Sequence, residues 1–97
     1  MTIDFQYVNF KADRKLLAHI TKKLSKMGTF YDGIINMIVY LKVINTDSKD
    51  NKSIEVKANV ANQTLFVSEV SQSFESAVDR VEEKLRTQIQ KYKAKQA

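Results

Sequence analysis

The 97-residue sequence contains no cysteine and no proline, and only two glycines and one histidine. Without thiols there is no disulfide framework, no thiolate metal site and no cysteine nucleophile. The lone imidazole, His19, could serve a triad but cannot build a multi-histidine metal centre. Gly28 and Gly33 are too few for a phosphate-cradling loop of the GxxxxGK or GxGxxG kind. Long apolar runs are missing as well. The best one, Ile34 to Leu41, is interrupted by Asn36 and falls short of the ~18–20 residues a membrane span needs. Met1-Thr2-Ile3-Asp4-Phe5 has neither the basic nor the apolar region of a secretory signal, so a cytoplasmic location is expected. No catalytic constellation and no cofactor is called for, and a binding module is expected rather than an enzyme.

What is present is an ordinary globular composition, 43% hydrophobic and 28% charged, of a length that makes one domain over 1–97. Ile3, Phe5 and Tyr7 alternate with Asp4, Gln6 and Val8, which predicts a first strand. Asp13 is placed to cap a helix carrying Leu16, Leu17, Ile20, Leu24 and Met27 on one face, with Gly28 as its expected stop. The β-branched run Ile34–Ile44 predicts a second strand, and Asn45 to Asn51 a polar turn. Ile54, Val56, Ala58 and Val60 mark a third strand, and Asn62-Gln63 turns the chain into a short fourth around Leu65, Phe66 and Val67. Ser73 caps a last helix carrying Phe74, Ala77, Val78, Val81, Leu85, Ile89 and Tyr92. The order β-α-β-β-β-α is an α+β two-layer sandwich, of the kind seen in double-stranded-RNA-binding domains. A right-handed crossover followed by two hairpins gives a four-stranded mixed sheet, with two parallel helices on one face and both helix C-termini at one end.

The charge is concentrated on those helices. The chain carries a net +5, which raises the prior for an anionic partner, nucleic acid first. Residues 11–26 hold Lys11, Arg14, Lys15, Lys22, Lys23 and Lys26 against Asp13 alone. Residues 84–97 hold Lys84, Arg86, Lys91, Lys93 and Lys95 and no acid. On a helical wheel Lys15, His19, Lys22, Lys23 and Lys26 flank one side of the first helix, and Arg80, Lys84, Lys91 and Lys95 one side of the second. Their C-terminal lysines would then share one cationic surface. Lysines near a helix C-terminus also complement its macrodipole, which would produce part of this pattern without any ligand. There is no RNP aromatic motif, GXXG clamp or zinc-finger spacing, so phosphate and shape recognition is open while base readout is unsupported. Most aromatic residues read as core, Tyr40 excepted, which shares the outer sheet face with Lys42. His19, on the basic flank of the first helix, reads as solvated, with phosphate contact the weaker alternative. Glu82 and Glu83 diverge by about 100° on a helix and make no carboxylate pair.

The segments Phe10-Lys11-Ala12-Asp13, Phe30-Tyr31-Asp32 and Val39-Tyr40-Leu41-Lys42-Val43 carry a resemblance. So, most specifically, does Ala77-Val78-Asp79 continuing through Lys84-Leu85, Gln88 and Lys91-Tyr92-Lys93. Taken together the chain resembles the ribosome hibernation promoting factors and ribosome-associated inhibitors, with Tyr92 where those proteins often carry histidine. The resemblance implies a protein that occupies the decoding region of the small ribosomal subunit and blocks mRNA and A- and P-site tRNA in stationary phase or stress. It implies rRNA contacts from Lys22, Lys23, Lys26, Lys84, Arg86, Lys91 and Lys93, made to 16S rRNA phosphates. Partners would be the small subunit and the intact ribosome, with no DNA and no membrane. Ending at Ala97, directly after the second helix, the chain resembles the short form without a C-terminal dimerisation domain, so that ribosome pairing would need a separate factor. A general structured-RNA-binding module is the alternative, and an adaptor for an acidic protein a weaker third reading.

Overall fold

The computed structural model describes residues 1–96; Ala97, the end of the short polar tail, lies outside the described residues. β1 (Thr2–Val8), α1 (Arg14–Phe30), β2 (Asn36–Val43), β3 (Lys52–Val60), β4 (Gln63–Ser71) and α2 (Phe74–Gln96) follow in that order. Both helices start where a polar side chain offers an oxygen to an unpaired backbone donor. Asp13 Oδ1 accepts the Leu16 N–H at 2.8 Å, and Ser73 Oγ accepts the Ser76 N–H at 3.0 Å. The strands form one sheet in the order β1-β2-β3-β4, parallel between β1 and β2 and antiparallel elsewhere, which is the expected mixed sheet.

Strand alternation decides what the helices cover. Met37, Val39 and Leu41 of β2, Ile54, Val56 and Ala58 of β3, and Leu65 and Val67 of β4 form one buried face. Ile20, Leu24 and Met27 of α1 and Val78, Val81, Leu85 and Ile89 of α2 complete that core. The helices run in the same direction, because their contacts advance in step: Lys23 meets Asp79, Phe30 meets Arg86, and Tyr31 meets Tyr92. At the opposite end Phe10 stacks on Phe74, with ring centres 5.0 Å apart.

Three expectations need correcting. Gly28 does not stop α1. It stays in the ordinary helical region, with no positive φ, and the helix continues to Phe30, where the Tyr31 N–H donates to the Met27 carbonyl at 2.8 Å. The extra residues bring Phe30 against α2, which packing favours and a bare glycine does not forbid. β4 is not short but as long as β3, nine residues each. Its second half puts polar Glu69 and Ser71 on the helix side, where Lys84 and the Ser76 hydroxyl receive them. The alternation was interrupted chemically, not structurally. His19 is half-buried rather than solvated, and its Nε2 is shielded from water with no hydrogen-bond partner among the described residues.

α2 also reaches the β4 side of the sheet, one of its two edges, where strand backbone groups lack a ladder partner. Gln88 Nε2 donates to the Phe66 carbonyl at 2.8 Å, and the Tyr92 hydroxyl donates to the Ala61 carbonyl at 2.8 Å. The other sheet face is uncovered. Tyr40 lies there with Lys57 Nζ 5.4 Å from its ring centre, and Phe66 there is 47% exposed, unlike the core aromatics.

Candidate nucleic-acid interface

The helices are parallel but staggered, Lys23 of α1 level with Asp79 and Phe30 with Arg86, so that α2 runs on beyond α1, and the side chains along this stretch define the candidate site. Lys22 and Lys26, one turn apart on α1, are exposed and make no ion pair among the described residues. Lys23 lies deeper in the groove between the helices, where its Nζ is 3.0 Å from Asp79 Oδ1. Accepting that hydrogen bond, the Asp79 carboxylate holds the Lys23 ammonium above its usual lysine pKa, with a smaller contribution from Glu82. Lys23 is therefore charged but already paired.

Phe30 at the last position of α1 organises the next cations. The Arg86 guanidinium carbon and Lys93 Nζ each lie 5.1 Å from its ring centre, within the range of a cation–π contact. Lys93 Nζ is also 5.7 Å from the Tyr31 ring, which meets Tyr92 edge-on at 5.9 Å. Desolvation raises the Tyr31 phenol above the usual tyrosine pKa, and the Tyr92 hydroxyl and Asp32 push it the same way. Gly33 makes room for this ring: a Cβ there would drive into its hydroxyl end. Two aromatic rings from the end of α1 thus carry two cations of α2.

The remaining α2 cations turn the other way. Lys84 Nζ is 3.0 Å from Glu69 Oε1 on β4. Lys91 borders a shallow cleft of about 320 Å³ with Gln63, Leu65, Gln88, Tyr92 and Lys95. Of the seven residues singled out from the sequence, Lys23, Arg86 and Lys93 lie where the helices meet, Lys22 and Lys26 are exposed on α1, and Lys84 and Lys91 lie on the β4 flank of α2. Sequence reasoning missed the neutralising carboxylates Asp79 and Glu69 and the supporting role of Phe30. The i, i+7 spacing of Arg86 and Lys93, which aligns them on one helix face, was the available signal for the last of these.

Among the described residues no group of three His, Cys, Asp or Glu side chains could hold a metal. An open, cationic, aromatic-supported helix end on a βαβββα sandwich has the chemistry that suits the class of polyanion-binding modules. Comparison with known proteins gives the class a family. Residues 3–97 match the model of the sigma 54 modulation protein / S30EA ribosomal protein family, and the chain belongs to that family, which is one of non-enzymatic ribosomal proteins. It is 28% identical over 87 residues to the ribosome hibernation promotion factor of Lactococcus lactis subsp. cremoris, spanning 90% of this chain and 46% of that protein. It is 29% identical over 77 residues to the factor of the same name from Staphylococcus aureus, spanning 79% and 40%. The chain thus spans less than half the length of these curated relatives. Among solved structures, a ribosomal subunit interface protein from Coxiella burnetii superposes with a TM-score of 0.86 at 24% identity, over 97% of this chain and 99% of that one. The N-terminal domain of Protein Y from Thermus thermophilus gives 0.74 at 19% identity, over 94% of each. Both share the fold.

Proposed function

We propose that this chain is a ribosome hibernation factor that binds the decoding region of the small ribosomal subunit. It inhibits translation by occupying the path of mRNA and the A- and P-site tRNA positions during stationary phase or stress. The observation that carries this reading is the cationic end of the two parallel helices, in a chain that belongs to a family of ribosomal proteins. Lys22, Lys23, Lys26, Lys84, Arg86, Lys91 and Lys93 face 16S rRNA phosphates, five of them directly and Lys23 and Lys84 through ion pairs with Asp79 and Glu69 that hold them back; the action is steric and involves no bond chemistry. The setting is cytoplasmic, and no helix is long and apolar enough to cross a membrane among the described residues. Any pairing of the bound ribosomes is, in this proposal, the work of a separate factor.

Sedimentation with purified ribosomes and separated subunits tests the proposal. The protein is expected with the small subunit and the intact ribosome, and pre-bound mRNA and P-site tRNA are expected to displace it. Equal retention by the large subunit or by plain duplex RNA would favour a general structured-RNA-binding module. Undiminished binding beside P-site tRNA would sink the occupancy mechanism, and a strong dimer peak from the two purified components would sink the separate pairing factor.

A further inference from the structure

Arg86 and Lys93 differ from ordinary surface cations in where they rest. A long basic side chain on an exposed helix samples many rotamers, and binding a phosphate must freeze them. Here both head groups lie 5.1 Å from the same ring centre, that of Phe30, and Lys93 is held from a second side by Tyr31 at 5.7 Å. Phe30 is itself half-buried at the helix end, and Tyr31 is fixed edge-on against buried Tyr92. The rings are therefore anchored in the fold while the cations remain exposed. Neither cation is committed to a carboxylate among the described residues, in contrast to Lys23 and Lys84. A ring attracts a cation without neutralising it, so the full charge stays available to a phosphate.

We infer that Phe30 and Tyr31 are positioning residues for RNA binding: an aromatic clasp that presets Arg86 and Lys93 as a two-pronged phosphate grip. The inference rests on the ribosome-binding reading and adds to it residues with no charge of their own. Gly33 belongs to the device, because any larger residue there displaces the Tyr31 ring. The seventeen-residue α1 serves it too, since a helix that ended at Gly28 would leave Phe30 off the α2 surface.

The test is a double-mutant cycle on small-subunit affinity. Pre-ordering a long side chain is worth roughly two- to tenfold in affinity. Phe30→Leu, which keeps bulk but removes the ring, is expected to weaken binding about tenfold. The slope of log affinity against log salt should not change, because the same phosphate contacts are eventually made. In an Arg86→Gln/Lys93→Gln background the same substitution should cost nothing more, and Phe30→Tyr should bind like wild type. The free protein supplies an independent readout: ring-current shifts of the Arg86 and Lys93 methylene protons should be present in wild type and lost in Phe30→Leu. If Phe30→Leu does not fold, Gly33→Ala takes its place, with a loss that disappears in Lys93→Gln but persists in Arg86→Gln. An equal loss from Phe30→Leu in both backgrounds, or none in either, overturns the clasp while leaving ribosome binding intact. Failure of the wild-type protein to bind the small subunit overturns the underlying reading instead.

Discussion

Two of the seven proposed phosphate contacts are already occupied by carboxylates, and this makes a counterintuitive prediction: removing an acid should tighten binding. Lys23 is paired with Asp79 and Lys84 with Glu69, each at 3.0 Å. Lys22, Lys26, Arg86, Lys91 and Lys93 have no such partner among the described residues. Each phosphate neutralised by a free cation releases about 0.8 of a counterion, so five contacts give a log–log salt slope near −4, and seven would approach −6. Asp79→Asn releases Lys23 without discharging it, since an isolated ammonium still titrates far above neutral pH. One added contact at 0.1 M salt is worth about sixfold in affinity, and the slope should steepen by about 0.8. Fluorescence anisotropy of labelled protein against purified small subunits, at several potassium chloride concentrations, reads both quantities. Lys23→Gln supplies the control: it should cost little in the wild type and about sixfold in the Asp79→Asn background. Thermal unfolding should change little, because Asp79 is exposed and an ion pair open to solvent on one side contributes little to stability. Weaker binding by Asp79→Asn, or a wild-type slope near −6, would refute the division of the cations into paired and free.

Two further predictions concern the end of the helix pair. Tyr92 is 3% exposed and its hydroxyl reaches the Ala61 carbonyl, so Tyr92→Phe keeps the ring and removes one buried hydrogen bond. The cost should be about 1 kcal/mol, read as a fall in melting temperature of roughly 4–8 °C for a domain of this size; no change would mean that water replaces the bond. Tyr31 has its phenol raised above the ordinary value of 10.0, by desolvation first and by Tyr92 and Asp32 after it. The fold favours the neutral phenol, so this contribution is complete below the ordinary value and is lost as pH rises through the raised one. Ultraviolet titration should show a late-ionising component that Tyr31→Phe removes, and Tyr31→Phe should resist alkaline unfolding to higher pH; an unchanged titration curve would refute the assignment.

The parts of the fold that sequence reading reached are those with a local cause. Asp13 and Ser73 sit three residues before the donors they cap, and the alternation of Ile54 to Val60 names a buried face without reference to any other element, whereas in β1 Ile3 and Phe5 are only half-buried and Tyr7, expected in the core, is 39% exposed. Element order and the connection rules then suffice for a mixed sheet with parallel helices. What stayed hidden depends on partners far along the chain. Glu69 and Ser71 look like the end of a strand until Lys84 and Ser76 are brought opposite them. Gly28 reads as a stop because local chemistry cannot register what Phe30 gains against α2. The charge total was legible, yet the number of free charges was not, since Lys23 and Asp79 are 56 positions apart in sequence and are joined only by the rotation of one helix against the other. A helical wheel fixes angles within a helix; it carries no information about the angle between two.

That limitation bears on the kind of partner. Lys84 and Lys93 are nine residues apart on α2, which places them about 180° apart around the helix axis. The contacts agree, Lys84 reaching β4 and Lys93 reaching Phe30 of α1. A single flat or convex surface, such as one side of an RNA duplex, can meet one of these flanks but not both. A partner that engages both must close around the exposed ridge of α2, as a cleft between two walls of folded RNA would. The proposed decoding-region site and a general duplex-binding module therefore predict different mutational patterns. In the cleft, Arg86→Gln on the α1 flank and Lys91→Gln on the β4 flank should each lower small-subunit affinity. Each should cost about sixfold at 0.1 M salt, and the double variant the product of the two. On a plain duplex, only the variants of one flank should matter. If one flank alone affects small-subunit binding, then α2 does not sit in a cleft, and the steric account of inhibition loses its geometric basis.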